Sequence, residues 1–257
     1  MPQYAVVVTG ASSGIGRELA RLAAADGQPV LLLGRSVAAL VSLAGEIEAC
    51  GGVAAWWAVD LTQPGALEGL EQQLAQRDWC CDVLVHAAGV GLVTPAHGGE
   101  VGRQLQSLDL NARVLSELAL GLLPAMRQRR RGGLLAVGSI AGYLPGPNMA
   151  IYYASKAYVR SLMAALHGES RGSGVTVTCL APGFVRTPFL EQAGLQRTRL
   201  RKLLPRQSAV TVARAGWRGF RAGRRLVMPG LANRVVVAAA KLLPTSWLLT
   251  TVAGLQR

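Results

Sequence analysis

The feature that most constrains the fold is a glycine-rich turn directly after a short apolar segment near the start of the chain. The segment 4–9 is predicted to be a buried parallel strand, and Gly10, Gly14 and Gly16 follow it. Gly10 permits a tight turn, Gly14 lets the backbone approach a pyrophosphate, and Gly16 allows the next helix to pack closely on the strand. The start of that helix offers free N–H groups and a positive dipole end. This turn therefore predicts a dinucleotide-binding site.

The rest of the chain alternates apolar strands with helices. Further strands are predicted at 30–34, 53–59, 82–86, 134–138, 175–180 and 224–228. Helices are predicted at 15–26, from the N-cap Ser36 to about residue 50, and at 66–77, 100–130, 151–171 and 231–243. Residues 184–205 are expected to be mobile or helical. The alternation indicates the α/β class, with a Rossmann-like, doubly wound parallel sheet in a single domain covering residues 1–257.

The charge of the chain is unevenly distributed. Residues 1–185 carry 13 basic and 13 acidic side chains, whereas residues 186–257 carry 14 basic side chains and one acid, Glu191. The whole net charge of +13 therefore lies in the last part of the chain. This asymmetry indicates either an anionic partner, such as a substrate, a lipid headgroup or a nucleic acid, or a solvated basic face. Nucleic acid is not expected, because the chain has no nucleic-acid motif and no aromatic stacking platform.

A membrane span and a metal site are both unexpected. The longest uncharged run, 134–155, contains three glycines and two prolines, which a spanning helix would not accumulate. The N-terminus has no basic region of the kind that begins a signal peptide. Four scattered cysteines and three dispersed histidines show no metal spacing and favour a reducing compartment. We expect a cytoplasmic protein, with a peripheral membrane contact through the basic C-terminal third as an additional hypothesis.

The end of the second predicted strand indicates which dinucleotide binds. Gly34 and Arg35 stand where proteins that bind NAD usually carry an acid that holds the ribose 2′-hydroxyl. A guanidinium with no neighbouring carboxylate suits a 2′-phosphate, so NADP(H) is favoured over NAD(H). The alternative is that Arg35 is a solvated loop residue. Asp60, followed by Leu61, is expected to accept from the adenine amino group, to cap the next helix, or to do both.

Three side chains downstream suit the reduction of a carbonyl group. Tyr152 and Lys156 lie one helical turn apart, 13 positions after Ser139. A phenol donates a proton, an ammonium makes the phenol more acidic, and a hydroxyl holds the carbonyl oxygen. Tyr153 has no lysine four positions later, so it is predicted to be structural or to line the substrate site. The pair alone is weak, but its position after the fifth strand in a chain with the glycine turn makes it specific.

Taken together, these motifs resemble those of the short-chain dehydrogenase/reductase superfamily, in its single-domain form of about 250 residues. The resemblance covers residues 4 to about 190. It is carried by the turn 9–16, by Ser139, Tyr152 and Lys156, and by the segment from Pro182-Gly183 through Thr187. One departure is His86-Ala-Ala-Gly89, where the family usually has Asn-Asn-Ala-Gly. We expect His86 to be structural rather than catalytic.

The resemblance implies an NAD(P)-dependent oxidoreductase that acts on alcohol or carbonyl groups. It implies that Asn111 joins Ser139, Tyr152 and Lys156 in the catalytic set by supporting a water in a proton relay, and that Lys156 also bonds the nicotinamide ribose. With the residues argued above, the expected cofactor site comprises Gly10, Ser12, Ser13, Gly14, Ile15, Gly16, Arg35, Asp60, Leu61, Ala88, Gly89, Tyr152, Lys156, Pro182, Gly183, Val185 and Thr187. It also implies a homodimer or homotetramer that pairs through the helices starting near Glu100 and Ile151.

The resemblance places a substrate loop after the sixth strand, so residues 184–257 are expected to form that loop and a basic, helical C-terminal extension of the same domain. Within 186–230, arginines alternate with leucines and aromatic residues. One hypothesis is a bulky ketone on an anionic carrier, such as a 3-oxoacyl thioester of coenzyme A or of a carrier protein. Another is a lipid-like or steroid-like ketone taken from a membrane surface.

A non-enzymatic alternative is a cofactor-sensing or scaffold protein of weak activity, whose basic tail binds an anionic membrane or a nucleic acid. The set of Ser139, Tyr152 and Lys156 argues against this alternative, because a sensor does not need all three.

Overall fold

Seven strands form one parallel sheet at the centre of the protein. The computed structural model describes residues 2–98, 100–197 and 206–256. The strands are β1 (Gln3–Thr9), β2 (Val30–Gly34), β3 (Ala54–Ala58), β4 (Trp79–His86), β5 (Gly132–Val137), β6 (Val175–Leu180), β7 (Val185–Arg186), β8 (Gln207–Ser208) and β9 (Leu226–Val227). The sheet order is β3-β2-β1-β4-β5-β6-β9, and β7 and β8 form a separate short pair. This arrangement confirms the prediction of a Rossmann-like, doubly wound sheet in a single domain.

Helices cover both faces of the sheet. They are α1 (Gly14–Ala25), α2 (Val37–Ala49), α3 (Ala66–Ala75), α4 (Val101–Leu108), α5 (Val114–Gln128), α6 (Ala150–Glu169), α7 (Phe189–Gln192), α8 (Ala209–Arg221), α9 (Leu231–Leu242) and α10 (Thr245–Leu255). One core lies between the sheet and α3, α5 and α6, and includes Leu118 and Met163. The second lies between the sheet and α1, α2 and α8, and includes Leu19 and Trp217. Burial on both sides explains why the strands are almost continuously apolar.

Most predicted elements are present within a few residues of their predicted bounds. Ser36 caps α2, because its hydroxyl accepts a hydrogen bond from the backbone N–H of Ala39. The strand predicted at 82–86 is longer, since β4 begins at Trp79. The helix predicted over 100–130 is interrupted by a π-helical segment, Asp109–Arg113, between α4 and α5. The strand predicted at 224–228 is only two residues long.

The C-terminal part contains more regular structure than the sequence predicted. Within 184–205, the structure shows β7, α7 and a 3₁₀ turn at Leu195–Arg197, and residues 198–205 lie outside the described part of the chain. Helix α9 matches the predicted helix at 231–243. The strand β8 and the helices α8 and α10 were not predicted.

The basic C-terminal side chains are divided between the two ends of the sheet. Arg186, Arg206 and Arg234 lie near the carboxyl ends of the strands, whereas the end of α8 lies at the amino ends. Helix α8 starts beside β7, which follows the carboxyl end of β6, and ends near Asp26 at the end of α1. There Trp217 Nε1 donates a 2.9 Å hydrogen bond to Asp26, and Arg221 forms an ion pair with the same carboxylate. We call this end of the molecule, with its exposed arginines, the basic end. Its exposed arginines are Arg127, Arg130, Arg131, Arg171, Arg218, Arg221, Arg224 and Arg225.

Candidate active site

A cleft of about 520 Å³ lies at the carboxyl ends of the central strands. It adjoins the point where the strand order changes direction between β1 and β4, which is where doubly wound sheets bind ligands. Its first part is lined by the glycine turn, the ends of β2 and β3, and the segment after β4. Its second part is lined by α6, α7, α9 and α10. All of the predicted cofactor residues line this cleft.

The glycine turn has a shape that fits a diphosphate. Gly10 and Gly14 have positive φ angles of 67° and 56°, which favour glycine. A Cβ on Gly10 would lie 2.7 Å from the backbone nitrogen of Ala88, and one on Gly16 would lie 2.3 Å from the Gly10 oxygen. At the start of α1, the side chain of Ser13 forms no capping hydrogen bond. The first N–H groups of this helix therefore face the cleft without a side-chain acceptor, as an anion site requires.

The ends of β2 and β3 supply one positive and one negative side chain. Arg35 is exposed where it lines the cleft, and it forms no ion pair within the described parts of the chain. Asp60 Oδ1 accepts from the backbone N–H of Thr62 at 3.0 Å and from its hydroxyl at 2.7 Å. These bonds, with the charge of Arg35, lower the pKa of Asp60. The predicted cap is wrong, because α3 begins only at Ala66 and Asp60 closes a tight turn with Thr62 instead.

The predicted reacting groups come together in the middle of the cleft. Ser139, Tyr152 and Lys156 all line it. Ser139 is held at the start of a 3₁₀ turn, where its hydroxyl accepts from the backbone N–H of Ala141 at 3.1 Å. Lys156 Nζ donates to the carbonyl of Val137 at 2.9 Å, which anchors α6 to the end of β5. Helix and strand together thus present a hydroxyl, a phenol and an ammonium to one space.

Burial dominates the electrostatics of the two ionisable groups. It raises the pKa of the Tyr152 phenol, and hydrogen bonding with Ser139 opposes this shift. It lowers the pKa of Lys156 to about 8. The expectation that Lys156 lowers the pKa of Tyr152 is not met by the side chains alone, because Nζ lies 5.8 Å from the Tyr152 ring centre and is bonded to Val137. The phenol is therefore held in its protonated form, which is the form that donates.

Asn111 lies beside the site rather than in it. It is fully buried in the π-helical segment, and its side chain does not line the cleft. Its Oδ1 accepts from the backbone N–H of Val90, and its Nδ2 donates to the Val90 carbonyl and to the hydroxyls of Ser107 and Ser155. The amide is thus occupied by structural bonds. A π-turn disturbs the normal pattern of backbone hydrogen bonds, and such turns are frequent at functional sites.

His86 is part of the core. Its Nδ1 lies 3.2 Å from the Thr9 hydroxyl, which also accepts from the backbone N–H of Ala88. Burial and the charge of Lys156 lower the pKa of His86 to about 3, so the ring is neutral. Since His86 does not line the cleft, its position agrees with the structural role predicted for it.

The sequence did not predict the apolar walls of the second part of the cleft, which we call the substrate end. Helix α10 contributes Leu248, Val252 and Leu255, which recur at helical spacing after Pro244 and could have indicated an amphipathic helix. The other apolar residues at this end are Ile140, Ala141, Leu144, Met149, Phe184, Phe189, Leu190, Leu195, Val236, Ala239, Ala240 and Leu243.

Charged side chains are confined to the cofactor part of the cleft. Of the described residues that line it, the charged ones are Arg35, Asp60 and Lys156. The arginines of α8 and those before β9 do not line the cleft. Three predicted basic residues of the loop, Arg199, Arg201 and Lys202, lie outside the described residues, as does the side chain of Arg197. Apart from Arg35, none of the described arginines lines the cleft.

In 2–98, 100–197 and 206–256, no group of three or more His, Cys, Asp or Glu side chains is placed to hold a metal ion. None of the helices in these ranges combines the length and apolarity needed to cross a bilayer.

Comparisons with known proteins agree with this geometry. Residues 4–198 match the model of the short chain dehydrogenase family. An uncharacterized oxidoreductase from Myxococcus xanthus is 36% identical over 187 residues, which are 73% of this chain and 74% of that protein. A very-long-chain 3-oxoacyl-CoA reductase from Laccaria bicolor is 36% identical over 184 residues, which are 70% of this chain but only 54% of that protein.

A solved structure extends the likeness to almost the whole fold. A short-chain dehydrogenase from Sphingobium yanoikuyae, in complex with NADPH, superposes with a TM-score of 0.81 at 27% identity. The match covers 93% of this chain and 94% of that one.

Proposed function

Because the chain belongs to the short-chain dehydrogenase family of NAD(P)-dependent oxidoreductases, which act on alcohol and carbonyl groups, we propose that it reduces a bulky, apolar ketone with NADPH. One observation carries the proposal: a single cleft joins the glycine turn, the groups Ser139, Tyr152 and Lys156, and an apolar chamber. The transfer is reversible in principle, and the proposal concerns the chemistry rather than its physiological direction.

The cofactor part of the cleft supports NADPH. The open N–H groups at Gly14–Gly16 suit the diphosphate, and Arg35 suits a 2′-phosphate because no carboxylate of the described residues forms an ion pair with it. Lys156, Val185 and Thr187 are proposed to hold the nicotinamide riboside. When bound, NADPH supplies the hydride. The NADPH complex of the Sphingobium relative supports this choice of dinucleotide.

The protein's own groups handle the proton. Tyr152 donates its phenolic proton to the carbonyl oxygen, while the Ser139 hydroxyl donates a hydrogen bond to that oxygen as its charge develops. The positive charge of Lys156 stabilises the phenolate that remains. Asn111 acts by positioning, because its amide holds Ser155, one residue before Lys156. Each of these roles is part of the proposal.

The substrate end supports a bulky and apolar substrate. Apart from Gln192 and Thr251, its described walls are aliphatic and aromatic, so a charged or small polar ketone would gain little from them. The Laccaria relative is named as a reductase of very-long-chain 3-oxoacyl-CoA, which supports an acyl-type ketone as one candidate. In that case the acyl chain would occupy the chamber and the carrier would remain outside the described cleft.

The direct test is NADPH oxidation with a ketone panel of graded size, from 3-oxoacyl thioesters and steroid ketones to acetone. We expect kcat/KM to be at least about tenfold higher for bulky apolar ketones than for the smallest, since each buried methylene contributes about 0.8 kcal/mol. A preference for small or charged carbonyls contradicts the substrate class. If folded protein binds NADPH but reduces none of these ketones, the proposed ketone reduction is contradicted.

Proteins of this family often form oligomers, and we propose that this chain forms a homodimer or homotetramer through α4, α5 and α6. An exposed apolar stripe supports the proposal: Val101, Leu105 and Leu108 recur at helical spacing, and Leu120 and Tyr158 lie on the neighbouring helices. Leu105→Glu should produce monomers in sedimentation-velocity experiments, whereas Arg103→Glu on the same helix should not. Monomeric wild-type protein contradicts the proposal.

Two other hypotheses differ in their support. A peripheral contact with an anionic membrane remains a prediction, as does a cytoplasmic location, and the basic end is the surface that would make the contact. Absence of cosedimentation with anionic vesicles at low salt would exclude it. The non-enzymatic scaffold is not favoured, because Ser139, Tyr152 and Lys156 are all present and face one cleft.

A further inference from the structure

We infer that Gln256 is a positioning residue which, through Tyr153, fixes α10 as a wall of the substrate end and so sets the size of ketone that fits. The side-chain Nε2 of Gln256 donates a 2.9 Å hydrogen bond to the Tyr153 hydroxyl across 103 residues of sequence. Both side chains are buried, with 4% and 8% of their surface exposed. The inference rests on the proposed function for its effect on substrates, but the contact itself is independent of it.

Helix α10 has few other attachments. Within Thr245–Leu255, Val252 is the one buried residue, and it packs in a cluster with Tyr153 and Met149. Trp247 and Leu249 are 66% and 42% exposed. The position of this helix therefore depends on its last turn, where Val252 and Gln256 meet the body of the protein.

Tyr153 provides a rigid anchor for that turn. A Cβ on Gly146 would lie 2.1 Å from the Tyr153 ring, so the ring rests directly on the Gly146 backbone. The ring also meets that of Tyr152 edge-on, with centres 6.0 Å apart. The residue next to the proposed proton donor is thus fixed in place, and its hydroxyl is free to bind the C-terminal helix.

Burial of the Gln256 side-chain amide costs free energy, because it removes a polar group from water. Its Oε1 is buried and has no hydrogen-bond partner among the described residues. A buried carbonyl without a hydrogen-bond partner opposes folding. Among the described residues, the bond from Nε2 to Tyr153 is the hydrogen bond of this side chain that offsets the cost. Since α10 supplies Leu248, Val252 and Leu255 to the chamber, loosening this bond should loosen the chamber wall.

The first experiment compares Gln256→Ala, Tyr153→Phe and the double variant in the full-length chain, with Thr250→Ala on the exposed face of α10 as the matched control. KM for a bulky ketone should rise about five- to tenfold in either single variant, as expected for loss of one buried hydrogen bond. The double variant should be no worse than the singles, because the two groups act on each other. The dissociation constant for NADPH and kcat/KM for a small ketone should change less than about twofold.

The second experiment does not depend on turnover. Lys241 is the last trypsin site before Arg257, so cleavage there releases the peptide 242–257. Mass spectrometry of early time points should show that this peptide is released several times faster from Gln256→Ala and Tyr153→Phe than from the wild-type protein. Its release from Thr250→Ala should occur at the wild-type rate.

The outcomes separate the two proposals. Unchanged KM together with unchanged cleavage overturns the inference, as does an equal loss of kcat for small and bulky ketones. If wild-type protein reduces no ketone, the proposed function fails while the cleavage rates still decide whether Gln256 holds α10. Tyr153→Phe keeps the ring on Gly146 and removes only the hydroxyl. If Gln256→Ala does not fold, this variant still tests whether the hydrogen bond holds α10.

Discussion

The side-chain amide of Asn111 donates a 3.0 Å hydrogen bond to the Ser155 hydroxyl, although 44 residues separate them. Ser155 in turn donates to the carbonyl of Tyr152 at 2.7 Å. The π-helical segment is thereby joined to the turn of α6 that carries the proposed acid. A residue outside the cleft thus fixes the backbone beneath the reacting groups.

Asn111→Leu should lower the free energy of unfolding by about 2–4 kcal/mol, because it removes the hydrogen bonds of a fully buried amide and leaves the Val90 backbone N–H without its side-chain acceptor. Ser116→Ala, which removes a half-buried hydroxyl of α5, should cost about 1 kcal/mol or less. Urea unfolding at pH 7 measures both. Equal costs for the two variants would contradict the role given to Asn111.

Tyr152→Phe should reduce kcat for ketone reduction by at least about 100-fold, since it removes the proton donor. NADPH binding, measured by fluorescence titration, should change little because the ring remains. Tyr153→Phe serves as the neighbouring control and should keep kcat within about threefold. If Tyr152→Phe keeps near-wild-type turnover while Tyr153→Phe loses it, the proton donor has been assigned to the wrong residue.

Arg35→Ala should weaken NADPH binding by about 10- to 100-fold and leave NADH binding nearly unchanged, because only NADPH presents a phosphate to the guanidinium. Arg103→Ala, an exposed arginine on α4, should affect neither cofactor. The measurement is kcat/KM for both cofactors in each protein. Equal efficiency of the wild-type protein with NADH, or a preference for NADH, rejects the assignment.

The pH dependence of NADPH use should reveal Lys156. Its pKa of about 8 means that the free enzyme loses this positive charge above that pH, so kcat/KM for NADPH should fall by up to tenfold per pH unit there. Lys241→Met, which removes an exposed amine, should leave the profile unchanged. A profile that is flat up to about pH 10 would show that Lys156 keeps its proton.

The same shift has a consequence for stability with a definite sign. Between about pH 8 and the ordinary lysine pKa of 10.5, the unfolded chain binds the Lys156 proton and the folded protein does not. The contribution of Lys156 to stability therefore rises with pH across that window. Lys156→Met should remove this rise, as measured by urea unfolding at the two ends of the window.

Two glycines in helices should respond oppositely to alanine. Gly16→Ala should destabilise the protein by about 1–3 kcal/mol and weaken NADPH binding, because the new Cβ would lie 2.3 Å from the Gly10 oxygen. Gly45→Ala in α2 meets nothing within 4 Å and should stabilise by about 0.5–1 kcal/mol. Thermal unfolding with and without NADPH tests both. A stabilising Gly16→Ala would contradict the close packing of α1 on β1.

The sequence predicted those parts of the structure that depend on local pattern. The strands from Tyr4 to Leu180 are apolar runs bounded by turns, and the glycine turn has a steric requirement that can be read residue by residue. The start of β4 was missed because Trp79, Cys80 and Cys81 carry no clear alternation. The π-helical segment was missed because it depends on Asn111 finding partners in distant elements.

The walls of the substrate end could not be predicted for a related reason. Their residues come from α6, α7, α9 and α10 and from the turns that follow β5 and β6, and only folding shows that they face one chamber. The bond between Tyr153 and Gln256 has no local signal at all. Nor does the sequence show that Arg218 and Arg221 of α8 lie away from the apolar residues that line the substrate end.

This separation determines how the protein is oriented when a polyanionic support captures it through the basic end. A cation-exchange resin or a heparin bead can capture the protein through Arg218, Arg224 and their neighbours at the basic end. The mouth of the cleft would then point outward into the flowing solution. Adsorbed protein should accordingly remain accessible to dissolved ketone and cofactor, which makes simple charge capture an orienting method of immobilisation.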